Sequence, residues 1–154
     1  MTPDVVSLTR RYLSFVELST FAHATEDETK VLDAVKNIIP ADYLEQVLFS
    51  KNNLKGEYGN SILLFRTHIK QAEVAQSILE SLASKLSALD KEALLSEFDM
   101  HLEKGKLFIR LDKQSASRGL IRLGNADPIR MRAKFKTSRV EEIHEICRKI
   151  GLLP

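Results

Sequence analysis

Residues 129–136 read IRMRAKFK, with a cation at every second position. A β-strand turns successive side chains to opposite faces, so the pattern separates Ile129, Met131, Ala133 and Phe135 from Arg130, Arg132, Lys134 and Lys136. The chain therefore needs a sheet with one apolar side and, at this strand, one strongly cationic side.

The net charge of +2 hides how local this charge is. Residues 1–103 hold 10 Lys/Arg against 16 Asp/Glu, residues 104–139 hold 11 against 2, and residues 140–154 hold 2 against 3. A basic block inside a nearly neutral chain is the footprint expected of a surface that meets a polyanion.

Several elements can be placed around that strand. LSFVELSTFA, residues 13–22, is rich in β-branched and aromatic residues and reads as a central strand. Thr25 with Glu28 forms the pattern of a capping box, and Val31, Leu32, Val35, Ile38 and Ile39 follow at helical spacing until Pro40. Strands are predicted over 44–54 and 61–69, joined through KGEYGN. A long amphipathic helix runs from Ala72 to about Ser87, followed by a short one over 90–98. LFIRLD, 107–112, is a strand that pairs with 100–103 across Lys104-Gly105. KQSASRG, 113–119, suits a loop or one helical turn, and a strand at 118–123 follows. Ser138 with Glu141 opens a last helix that Gly151 closes. The order β-α-β-β-α-α-β-β-β-α points to the α+β class. The expected architecture is a single two-layer domain, 1–154, with a largely antiparallel sheet and amphipathic helices on one face.

If GNADP, 124–128, is a hairpin loop, Leu123 lies opposite Ile129, Arg122 faces Arg130 and Arg118 faces Lys134. Like charges placed directly opposite are destabilising, and an anionic partner converts the same repulsion into attraction. The expected phosphate contacts are Arg118, Arg122, Arg130, Arg132, Lys134 and Lys136. Lys113 and Gln114, with Lys106 and Arg110 nearby, widen the surface, and Tyr58 and Asn60 offer a stacking ring beside a donor. A solvated strand face that keeps an edge soluble is the bland alternative.

Other classes find little support. GEYG, 56–59, matches the GxxG loop of KH domains only formally, because it lies between predicted strands and carries an acid. No RNP1 string, P-loop, dinucleotide fingerprint or HExxH is present, and the histidines at 23, 68, 101 and 144 fall in different elements. His144 and Cys147 share a helix face, where a structural role is expected; Cys147 reads as a core residue. No catalytic residues, metal site or cofactor can be assigned, so a non-enzymatic role is expected. No apolar run is long enough to span a membrane, and MTPDVVSLTRR lacks the features of a secretory signal, so a cytoplasmic location is expected.

Four strings together carry a resemblance: STFAHATED (19–27), KGEYGN (55–60), RLDKQSASRG (110–119) and LGNADPIRMRAKFK (123–136). In this order, over about residues 13–150, the chain resembles an archaeal RNA-binding protein family, formerly uncharacterised and predicted to be an exosome subunit. The resemblance implies a fold similar to the ribosomal protein that binds 5S ribosomal RNA. It also implies an archaeal RNA-processing setting, with RNA as partner and exosome or other RNA-processing proteins as companions; no small-molecule substrate is evident from the motifs. Glu57 and Tyr58 depart from the histidine-rich or small-residue turn expected of that family. A module that docks an acidic protein in a ribosomal or RNA-processing complex is the alternative function.

Overall fold

A computed structural model of the chain describes residues 10–56 and 58–154. The expectations that concern the N-terminal nine residues and Glu57 lie outside the described residues. The elements are β1 (Leu13–His23), α1 (Glu28–Lys36), β2 (Ser50–Lys55), β3 (Ser61–Ile69), α2 (Ala72–Lys85) and α3 (Ala88–Ser96). They continue as β4 (Leu102–Glu103), β5 (Lys106–Leu111), α4 (Lys113–Ser117), β6 (Ile129–Phe135) and α5 (Val140–Lys149). The strands form one antiparallel six-stranded sheet in the order β2-β3-β1-β6-β5-β4. The chain is α+β, with the largely antiparallel sheet and helices that the pattern predicts.

Alternation sorts the sheet into a core side and an open side. Val16, Leu18, Leu107, Ile109, Leu111, Ile129, Met131, Ala133 and Phe135 are buried in one cluster with Ile78, Leu79 and Leu82 of α2 and with Ile143 and Cys147 of α5. Burial pushes the Cys147 thiol up to about 12, so it is an inert core residue at neutral pH. The β4–β5 turn forms as predicted: Lys104 at φ 51° and Gly105 at φ 80° supply the two left-handed residues of a tight hairpin. Gly151, at φ 87°, ends α5, while the Leu152 amide bonds back to the Cys147 carbonyl at 2.9 Å.

Local signals are re-used at other positions. The N-cap of α1 is Asp27, whose carboxylate accepts from the Thr29 amide at 2.9 Å; Thr25 and Glu28 do not form the predicted box. Helix α5 starts after Arg139 with no side-chain cap, because the Thr137 hydroxyl accepts from the Arg139 amide instead of Ser138 capping the helix. The strand predicted over 44–54 is shortened to β2, since Pro40 leads into a 3-10 turn at Ala41–Gln46.

The main correction concerns 118–123, which is not a strand and does not pair with β6. Asp112 caps α4 by accepting from the amide and hydroxyl of Ser115, and this turns the chain away at the end of β5. The chain then returns beside β5 for a single bridge, Leu111 to Leu123, with the Asp112 amide donating to the Arg122 carbonyl and the Gly124 amide to the Arg110 carbonyl. Leu111 also pairs with Ile129 of β6. Residues 124–128 therefore cross over the end of β5 instead of folding back as a hairpin, and Leu123 and Ile129 flank Leu111 from opposite sides.

The crossing needs Gly124. A Cβ there would lie 2.8 Å from the Asp112 Cβ and 3.0 Å from its Cα, where little can give way. Gly124→Ala is expected to lower the free energy of unfolding by about 1–3 kcal/mol. Chemical denaturation would show this as a lower midpoint at unchanged slope, and an unchanged midpoint would mean that the crossing is not tight.

Candidate nucleic-acid interface

The two strands that flank β6 decide what its cations face. On the open side Arg130 has Ser19 of β1 on one flank and Arg110 of β5 on the other. Arg132 lies between Glu17 and Phe108, and Lys134 between Phe15 and Lys106. The rows extend through β3, where Arg66 is opposite Ser19, His68 opposite Glu17 and Leu64 opposite Phe21. Thus Arg66, Lys106, Arg110, Arg130, Arg132 and Lys134 share one face with Phe15, Phe21 and Phe108. Against them the strands set the carboxylates of Glu17 and Glu103.

Glu17 organises the middle of this face. Its Oε2 accepts from an Arg132 terminal nitrogen at 3.2 Å and lies 3.1 Å from His68 Nδ1. The His68 ring stacks on Phe15 with centroids 4.6 Å apart, and the Arg132 guanidinium sits 5.6 Å above the same Phe15 ring. Arg130 lies likewise over Phe21 at 5.7 Å. Cations laid on rings expose their N–H groups edgewise while the rings lend them apolar support. The Arg132 Nε is a buried donor with no hydrogen-bond partner among the described residues. Arg66, Lys106, Arg110 and Arg130 have no ion-pair partner there either.

The sequence-predicted residues divide. Arg130, Arg132 and Lys134 occupy the open face, as alternation requires. The like-charge pairs exist, but with a different strand: Arg110 faces Arg130 and Lys106 faces Lys134, where Arg122 and Arg118 were expected. Arg118 and Arg122 are exposed near Asp112, whose carboxyl is held below the ordinary 3.8 chiefly by the Ser115 hydroxyl and further by these two charges. Lys136 lies beyond the end of β6 and lines a cleft with Tyr12, Glu142 and Glu145. Gln114 is exposed on α4, in a cleft it shares with Glu26, Asp27 and Lys30. Tyr58 is 87% exposed, so it does not pack over its turn; with His23, Asn60 and Ile62 it borders a cleft at the tip of the β2–β3 hairpin.

Lys113 is the clear correction, being 3% exposed. Its ammonium donates to Glu26 Oε1 at 2.9 Å, Asp127 Oδ2 at 2.5 Å and the Phe21 carbonyl at 2.9 Å. Its three protons are matched by three acceptors, and it pins the ends of β1 and of the 124–128 crossing together. Burial raises the Asp127 carboxyl, but hydrogen bonds from Lys113 and His23 outweigh it and hold the group below its ordinary value. His23, Glu26 and Asp127 bring ligand atoms within 4.8 Å of one another, yet the Lys113 ammonium already bonds both carboxylates. An internal cation takes the place that a metal would need.

The residues missed in the sequence are Phe15, Glu17, Phe21, Arg66, His68 and Phe108. A usable signal was present in β1, where Phe15, Glu17, Ser19 and Phe21 alternate with Val16, Leu18, Thr20 and Ala22. A face that mixes an acid and a serine with two aromatic rings is not a core face.

Among the described residues, the side of the sheet away from the helices interleaves cations and rings, a surface chemistry suited to nucleic acid. A family model described as RNA binding matches residues 15–135, and the chain belongs to that family. It is 34% identical over 124 residues to the RNA-binding protein PAB1135 of Pyrococcus abyssi, covering 79% of this chain and 80% of that one. It is 33% identical over 126 residues to the uncharacterised protein MJ0213 of Methanocaldococcus jannaschii, covering 80% and 83%. Among solved structures, the DUF54-family protein AF2318 of Archaeoglobus fulgidus superposes with a TM-score of 0.75 at 26% identity, over 90% of this chain and 99% of that one. No helix among the described residues is long and apolar enough to cross a membrane.

The burial of Lys113 separates two outcomes. Lys113→Met is expected to cost about 2 kcal/mol of stability by stranding two carboxylates and a carbonyl, while leaving RNA affinity unchanged well below the melting temperature. Lost affinity at unchanged stability would show that Lys113 acts as a surface cation.

Proposed function

We propose that the open face of the sheet binds single-stranded RNA, with cations on phosphates and rings beneath bases. The observation that carries this reading is the pairing of Arg110 with Arg130 and of Lys106 with Lys134 on a face that also holds Phe15, Phe21 and Phe108. Directly opposed like charges weaken a sheet by tenths of a kcal/mol per pair, and a phosphate placed between them reverses the sign. Base-on-ring stacking contributes about 1–3 kcal/mol per base and tolerates any sequence. The rings favour RNA over the acidic-protein alternative, since a base can stack on Phe108 or on the guanidiniums that Phe15 and Phe21 support, which a carboxylate side chain cannot do.

Membership in an RNA-binding family and the similarity to an archaeal protein named as RNA-binding support the same reading. We read the role as accessory and not catalytic, because the face offers donors and stacking planes suited to holding a strand. The resemblance in sequence extends the proposal to archaeal RNA processing or degradation, with exosome or other processing proteins as partners and a cytoplasmic setting.

Salt dependence tests the proposal. If about six phosphates are neutralised, log K for single-stranded RNA should fall against log salt with a slope of roughly −4. Replacing Arg66, Lys106 and Arg130 by glutamine should flatten that slope by roughly 2 units with little change in melting temperature. An unchanged slope would place the RNA elsewhere, and no affinity at low salt would favour the acidic-protein partner.

A further inference from the structure

The basic face ends, beside β5, in a cleft of about 490 Å³ whose wall carries both signs of charge. Arg110 and Arg130, opposite each other on β5 and β6, line it toward the sheet, and Glu97, His101 and Glu103 of the α3–β4 segment line it toward the sheet edge, with Asn125 and Phe108 also in the wall. A second recess of about 180 Å³ shares Glu97, His101, Phe108, Arg110 and Asn125, and continues inward against Ala93, Leu94 and Leu123. The outer volume lies in the roughly 300–1,000 Å³ range of small-ligand sites, and the inner recess adds apolar side chains to the same polar groups.

We infer that this cleft takes one nucleotide of the bound RNA and selects a base carrying an exocyclic amine, whether adenine, cytosine or guanine, over uracil. The inference rests on the open face being the RNA surface. The polarity of the cleft sets the orientation. Its guanidinium pair has no carboxylate partner among the described residues and meets the phosphate, whereas the carboxylates opposite would repel it. The base is thereby directed toward the acidic side, and along the way Phe108, 36% exposed, offers a ring and Asn125 an amide donor and acceptor in the cleft wall. Glu97, held 3.5 Å from His101 Nε2, presents carboxylate oxygens as acceptors. An amino group of adenine or cytosine satisfies it, and an asparagine amide matches the donor-acceptor edge of adenine in both directions. Uracil has no exocyclic amine, and its single N3–H donor is flanked by carbonyl oxygens that the carboxylate repels, so it is disfavoured.

The phosphate contacts alone confer no such preference, which makes the two readings separable. Oligoadenylate, oligocytidylate and oligouridylate of equal length would be titrated at about 50 mM salt, where phosphate contacts are strong. The expected result is roughly tenfold tighter binding of the first two. Asn125→Ala is expected to lower oligoadenylate affinity toward that of oligouridylate, and Glu97→Gln to lower oligocytidylate affinity likewise. Both side chains are exposed, and melting curves would verify that both variants remain folded. Equal binding of all three homopolymers, or a preference that survives both substitutions, overturns the base-selecting cleft while leaving RNA binding in place. Binding of none of them overturns the RNA reading as well.

Discussion

Strand β6 is hydrogen-bonded along both edges, to β1 on one side and β5 on the other. That double pairing controls the rest of the structure. It fixes the register of IRMRAKFK so that Ile129, Met131, Ala133 and Phe135 are buried, and a slip of one residue would drive cations into the core. It also sets the cations in the middle of the sheet, where neighbours on both sides contribute to one surface. An edge strand with the same sequence would present a solvated stripe; a central one presents a field of charge with rings beside it.

The position of β6 depends in turn on what happens at the end of β5. Asp112 stops the strand by capping α4, Gly124 lets the returning chain pass tightly over Asp112, and Lys113 ties Asp127 to Glu26 and to the end of β1. Asp112, Lys113 and Gly124 lie within the basic block, yet all three act on the path of the backbone. The same crossing places Asn125 in the wall of the cleft beside β5, so the turn that centres β6 also supplies a polar group next to the proposed RNA surface.

Much of this fold was legible from periodicity. The alternation in β6, the stripe of α2, the left-handed β4–β5 turn and the glycine that ends α5 all express local rules that tertiary structure has no reason to overrule. What was not legible depended on pairings between distant residues. GNADP carries good hairpin chemistry, and nothing local reveals that Gly124 meets Asp112 or that Leu111 is shared between Leu123 and Ile129. Lys113 looked like one more surface cation because its three acceptors come from Phe21, Glu26 and Asp127, far apart in sequence. Part of the cationic half of the candidate site was therefore readable from β6, and the alternation in β1 carried a signal for its rings, whereas Arg66 on β3 and the pairing of all these groups on one face emerged only with the sheet order.

The central claim is that RNA lies across the open side of the sheet and not against the helices. Ultraviolet crosslinking of the full chain to single-stranded RNA, followed by mass-spectrometric mapping, tests it most directly, because stacked aromatic residues are the ones placed to react. The account predicts adducts at Phe15, Phe21 or Phe108, suppressed at high salt as the phosphate contacts weaken. Adducts confined to the helix layer, at Tyr43 for example, with none on β1, β5 or β6, would contradict it.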